Sequence, residues 1–194
     1  MKKINSFLLS LALVVTFAAS SFAADGYGVG DVVTDFTINN YDNNTYTLSQ
    51  SGGNATVVMF WSTECPYVQP YTERINSLAT EFSSQGIVFW GINSNKTESV
   101  EVVEKHAAGK AYPFAMLKDV NNVVADQFGA ERTPEVFVID NSTMKVIYHG
   151  RIDDDRDADK VTSQDLKNAL TQFLNGETIT VSETKAFGCT IKRN

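Results

Sequence analysis

The chain holds two cysteines. Cys65 lies in FWSTECPYVQPY (residues 60–71), where a buried strand-like run passes directly into a helix-like one. A redox cysteine at such a junction ordinarily has a second cysteine three residues on; that place is Val68. The reactive species is the thiolate, whose population depends on pKa. Cys65 stands where a first helical turn is expected, with Pro66 at the favoured first helical position. Unpaired N–H groups from Tyr67 onward, and the positive end of the helix dipole, would then favour an anionic sulfur. Glu64 opposes this unless it swings into solvent. Cys189 lies in the C-terminal stretch AFGCTIKRN. Two cysteines are too few for a disulfide-stapled mini-fold, so they serve either one structural bridge or redox chemistry.

Other residues with chemical potential form no site. DDDRDAD (Asp153 to Asp159) resembles a calcium loop only in its acids. Ala158 stands at the glycine position of such a loop and Gln164 at its terminal glutamate. It reads as a solvated acidic loop. His106 follows a helix-like run and is expected to be exposed; His149 ends a strand. Neither has a metal-ligand partner nearby in sequence. No phosphate-binding glycine loop is present, and Trp61 and Trp90 read as core and site wall. No metal and no cofactor are expected.

Residues 1–23 read as a signal peptide: a basic MKK, an apolar run FLLSLALVVTFAA, and small residues before a cleavage point at Ala24. About 171 of the 194 residues then form one domain, 24–194, with a C-terminal tail from about residue 177. Removing Lys2 and Lys3 takes the formal charge from −7 to about −9. An acidic surface argues against nucleic acid and anionic lipid as partners, and no later segment suits stable membrane insertion. Export places the chain in the periplasm, where a disulfide persists.

The elements that must position Cys65 follow from periodicity. GDVVTDFTINNYDNNTYTLSQ reads as an N-terminal hairpin turning at YDNN. ATVVMFWS and IVFWGINS are continuous apolar runs, suited to central strands buried on both faces. Val68, Tyr71, Ile75, Leu78 and Phe82 share one helix face, closed by Gly86. TESVEVVEKHAA is a helix with Thr97 as N-cap. PFAMLKD is extended, and NNVVADQFG is a short helix stopped at Gly129. EVFVID and KVIYHG form a hairpin. TSQDLKNALTQFLNG is the last helix, with Thr162 and Asp165 as a capping box. Helices alternating with strands, then an antiparallel hairpin, give an α/β fold with a mixed sheet.

VVMFWSTECPYV resembles the active-site segment of the thioredoxin-like superfamily. VGDVVTDFTINNYDNNTYTLSQ resembles the N-terminal hairpin of its redoxin branch, the alkyl hydroperoxide reductase/thiol-specific antioxidant and TlpA-like proteins. RTPEVFVID resembles the Thr-Pro loop and the strand after it, and YHGRIDD with AFGCTIKRN resembles redoxins ending in Gly-Cys-x-Ile-Lys. The chain departs from the pattern at Val68, and at Val58, which stands where the peroxidase pattern Pro-x-x-x-Thr/Ser-x-x-Cys has its proline. The resemblance implies a thioredoxin-like fold: a central mixed β-sheet flanked by helices, with an N-terminal hairpin extension. It implies a cis Thr133–Pro134 bond beside Cys65, exposing backbone that pairs with an extended substrate. Arg132, which precedes this loop, either adds positive charge near Cys65 or is a solvated surface side chain. Under this reading Cys65 attacks and Cys189 resolves, as a thiol-disulfide oxidoreductase acting on protein or small-molecule disulfides with a thiol electron donor, or with antioxidant activity. The alternative is a redox-inactive binding module with a purely structural Cys65–Cys189 bridge.

Overall fold

In the computed structural model, residues 26–193 are described; the expected signal peptide lies outside them. Strands β1 (Thr37–Asn39) and β2 (Thr45–Thr47) form the expected antiparallel hairpin. The main sheet contains β3 (Ala55–Phe60), β4 (Ile87–Asn93), β5 (Ala115–Lys118), β7 (Glu135–Asp140) and β8 (Lys145–Gly150). Between β5 and β7 lies the two-residue strand β6 (Arg132–Thr133), which pairs with β9 (Cys189–Thr190). The sheet order is β5-β4-β3-β7-β8. β3, β4 and β5 are parallel, while β7 and β8 run antiparallel to their neighbours. The sheet is mixed, as the sequence pattern requires.

β3 is central and buried throughout, because alternate side chains serve two separate cores. Val57 and Met59 face one cluster, built with Ile75, Ala79 and Phe82 of α1 (Thr72–Ser83) and Leu166, Ala169 and Leu170 of α4 (Asp165–Leu174). Val103 of α2 (Val100–Lys110) joins the same cluster. Val58 and Phe60 face the other, built with Phe36, Ile38, and Val124, Ala125 and Phe128 of α3 (Val123–Phe128). Trp61 belongs to the first core and Trp90 to the second.

Three helix starts differ from expectation. α1 begins at Thr72, seven residues after Cys65; residues 69–71 form a 3₁₀ turn containing Pro70. Proline has no N–H to donate and its ring crowds the preceding turn, so a continuous helix from Cys65 through Pro70 would lose a hydrogen bond. The apolar spacing was sound, since Val68, Tyr71, Ile75 and Phe82 are all buried. α2 is capped by Ser99, which accepts the Val102 N–H, rather than by Thr97. α4 has no capping box. Thr162 N–H and Oγ1 both bond Asp154 of the acidic loop, leaving Gln164 as an N-cap without a side-chain bond.

After α4 the tail runs along the sheet edge. Ser182 and Thr184 exchange backbone bonds with His149 of β8. A Cβ on Gly150 would meet the Thr184 backbone oxygen at 2.5 Å, so only glycine lets the tail lie this close. The tail then reaches the Cys65 end of the sheet.

Candidate active site

Cys65 lies at the C-terminal end of β3, where parallel α/β strands deliver functional groups. Its loop is held from below. Ser62 Oγ accepts the N–H groups of Cys65 (3.0 Å) and Glu64 (3.3 Å), and donates to Glu98 Oε1 at 2.6 Å. Glu98 is 1% exposed. It also accepts from Thr63 N–H (2.7 Å) and Oγ1 (2.5 Å), Asn93 Nδ2 (2.7 Å) and Asn95 Nδ2 (2.6 Å). Burial alone would raise the Glu98 pKa; donation by Ser62, Thr63 and Asn93 outweighs it and holds the carboxyl below its ordinary value. Buried Lys118 completes the cluster through Asn93 Oδ1 (3.0 Å) and the Asn95 carbonyl (2.7 Å). Burial lowers its pKa, against the pull of Glu98 and Asp119.

Cys65 and Cys189 form a disulfide, with Cα atoms 6.0 Å apart. Cys65 is 3% exposed, whereas Cys189 is half-buried. The Thr133–Pro134 bond is cis, and the Cys65 sulfur lies 3.5 Å from the Thr133 carbonyl oxygen. The expected residues Cys65, Cys189, Thr133 and Pro134 therefore meet at one place. Arg132 Nη1 donates to Thr190 Oγ1 at 3.1 Å, clamping the tail. The first-turn argument for an acidic Cys65 meets turns in place of an α-helix: Val68 N–H donates to the Cys65 carbonyl at 3.0 Å and Tyr71 N–H to the Val68 carbonyl at 2.9 Å before α1 starts at Thr72. Glu64 is exposed, as that argument needed.

The backbone edge beside the cis proline, the edge expected to take a substrate, is occupied. Arg132 pairs with Thr190 and Thr133 with Cys189, antiparallel. Sequence reading also missed Glu98 as a support, although the polar run Asn93-Ser94-Asn95 at the end of an apolar strand was the available signal. His106 is half-buried rather than exposed, with Nε2 2.9 Å from Tyr112 Oη; burial lowers its pKa. His149 Nε2 lies 2.8 Å from Glu135 Oε1, and its ring stacks on Phe137. The acids of the 153–159 loop have internal partners, Asp153 with Arg74 and Asp157 with Lys160.

Residues 29–149 match the AhpC/TSA family, and the chain belongs to it. That span holds Cys65 and Thr133-Pro134 but ends before Cys189. Thiol-disulfide oxidoreductase ResA of Halalkalibacterium halodurans is 24% identical over 133 residues, 68% of this chain and 74% of that protein. An uncharacterized conserved protein of Geobacillus kaustophilus superposes with a TM-score of 0.80 at 30% identity, over 87% of this chain and 93% of its own. Hypothetical protein SMc02350 of Sinorhizobium meliloti 1021 superposes with a TM-score of 0.78 at 30% identity, over 87% and 96%. The thioredoxin-like fold follows.

Proposed function

We propose that the chain is an exported, periplasmic thiol-disulfide oxidoreductase that cycles between a Cys65/Cys189 dithiol and their disulfide. The observation that carries this reading is the Cys65–Cys189 bridge beside the cis Thr133–Pro134 bond. In the reduced protein the Cys65 thiolate attacks a disulfide sulfur of a protein or small-molecule substrate. The new Cys65–sulfur bond replaces the substrate's own, and the other half leaves as a thiolate. Val68 cannot resolve this intermediate, so the Cys189 thiolate does. It regenerates the bridge and releases the second substrate thiol. A thiol donor then reduces the bridge. The ResA similarity supports disulfide exchange as the main activity. Peroxide reduction is secondary. Val58 sits inside β3, paired with Trp90 and Phe137, where a proline would interrupt a central ladder.

The test is a redox titration of the bridge with a parallel insulin- or glutathione-disulfide turnover assay. A working couple has a potential well above about −300 mV and turns over. A potential below that value without turnover favours the second reading, a binding module with a structural staple. The specific observation behind that alternative is the burial of Cys65 under the tail.

A further inference from the structure

Residues 188–193 lie on the body of the protein as a separate extended peptide would. The Ile191 N–H donates to the Glu131 carbonyl at 2.9 Å, beyond the two pairs of the β6–β9 ladder. The Lys192 N–H donates to Asn95 Oδ1 at 2.7 Å, and its carbonyl accepts from the Lys96 N–H at 2.8 Å. These partners all belong to the body, so the groove does not depend on the tail for its walls.

Side chains alternate in use. The Ile191 side chain is 3% exposed and joins the second core. Arg193 Nε donates to Asp126 Oδ1 at 2.7 Å. Thr190 and Lys192 are exposed. Before the cysteine, Gly188 has a φ of 146°, and a Cβ there would meet the Thr133 carbonyl oxygen at 2.1 Å. The groove therefore reads three positions around a cysteine and leaves Lys192 open, while Thr190 is met only at its exposed hydroxyl, by Arg132 Nη1.

We propose that this groove is a binding site for an extended, cysteine-bearing segment of another protein, selected as Gly-Cys-x-Ile-x-Arg, with the chain's own tail as resident occupant. This rests on the oxidoreductase reading above and names its substrate class. A substrate sulfur can reach Cys65 only where Cys189 now lies, so the tail must leave first. The bridge keeps the tail at high effective concentration; reduction by the thiol donor removes that tether. The segment's disulfide is then attacked by the Cys65 thiolate, forming the Cys65–segment bond and expelling the other half as a thiolate. The returning tail brings the Cys189 thiolate, which re-forms the bridge. The same return displaces the segment from the groove.

The test uses full-length, reduced Cys189→Ser protein, with and without Ile191→Asp to loosen the tail. The probe is the heptapeptide FGCTIKR, its cysteine in a mixed disulfide with thionitrobenzoate, whose release reports attack by Cys65. Peptides with Asp for the isoleucine or Ala for the glycine are compared, along with dithiobis(nitrobenzoate) alone. The parent peptide is expected to react at least about tenfold faster than either altered peptide, a difference of about 1.4 kcal/mol per tenfold. Adding Ile191→Asp to the protein is expected to speed the parent peptide further. Rates within twofold for all three peptides would overturn the proposal. Binding of labelled peptides with serine for cysteine, followed by anisotropy, needs no chemistry and separates the two failures. If neither peptide nor dithiobis(nitrobenzoate) is attacked, the oxidoreductase reading falls; equal binding of the parent and Asp peptides overturns the groove itself.

Discussion

Asn95 donates to Glu98 Oε1 at 2.6 Å while its other amide atom accepts the Lys192 N–H at 2.7 Å. One side chain thus ties the support of the Cys65 loop to the tail that covers Cys65. Glu98 holds Ser62 and Thr63 on one side and, through Asn95, Lys192 on the other. The loop and the tail share a foundation.

Glu98→Gln should loosen both. A glutamine keeps the shape but replaces one acceptor oxygen with a donor facing existing donors, and removes the charge. Urea unfolding at pH 7 should show a loss of about 2–4 kcal/mol. The pH profile gives an independent readout. The folded Glu98 pKa is held below 4.5, so its contribution is full above that value and is lost as pH falls through the folded value. The variant should lose that part of the acid slope. An unchanged slope would show that Glu98 is not the charged acceptor of the cluster.

Thiol titration of unreduced protein in denaturant should find no free thiol, since both cysteines are in the bridge. Two free thiols per chain would contradict the bridge, and covalent dimers on a non-reducing gel would move it between chains.

Cys189→Ser should melt below the oxidised parent. The bridge closes a 124-residue separation, for which the chain-entropy relation gives about 5 kcal/mol as an upper figure. The variant should also accumulate a covalent adduct with a disulfide substrate, visible by mass spectrometry. Lower melting without an adduct would favour the structural staple.

Gly188→Ala should press a methyl group against the Thr133 carbonyl. Displacement of the tail at about 1.4–2.8 kcal/mol would raise the bridge's potential by about 30–60 mV. Equilibration against glutathione buffers measures this; an unaltered potential would mean that the tail shifts without loss.

Much of the scaffold was legible. Apolar runs fixed β3 and β4 because both faces are buried, and the break at residues 133–134 marked the turn into β7. What escaped was set by long-range competition. Asp154 captures Thr162 from α4, and Glu98, eligible for the first turn of α2, is drawn under the Cys65 loop. Local spacing carries no information about such rivals. Cys65, Cys189, Thr133 and Pro134 were legible as a set, but the bond from Arg132 to Thr190 was not, because nothing near Arg132 in sequence announces that partner. That the tail would fill the edge beside Pro134 was likewise invisible until β6 and β9 were seen paired.

The span between the two cysteines has a mechanical meaning. β4 to β8 all lie between Cys65 and Cys189, so the oxidised chain is a closed ring with a short arm after Cys189 and a long arm, carrying β1, β2 and β3, before Cys65. Pulled from its ends, it cannot extend the enclosed 124-residue separation, roughly 430 Å of contour at the full reach of a polypeptide. Reduction releases that length at once. The redox state of a single bond therefore decides whether a pulling or threading machine can draw out only the two arms or the whole chain from end to end.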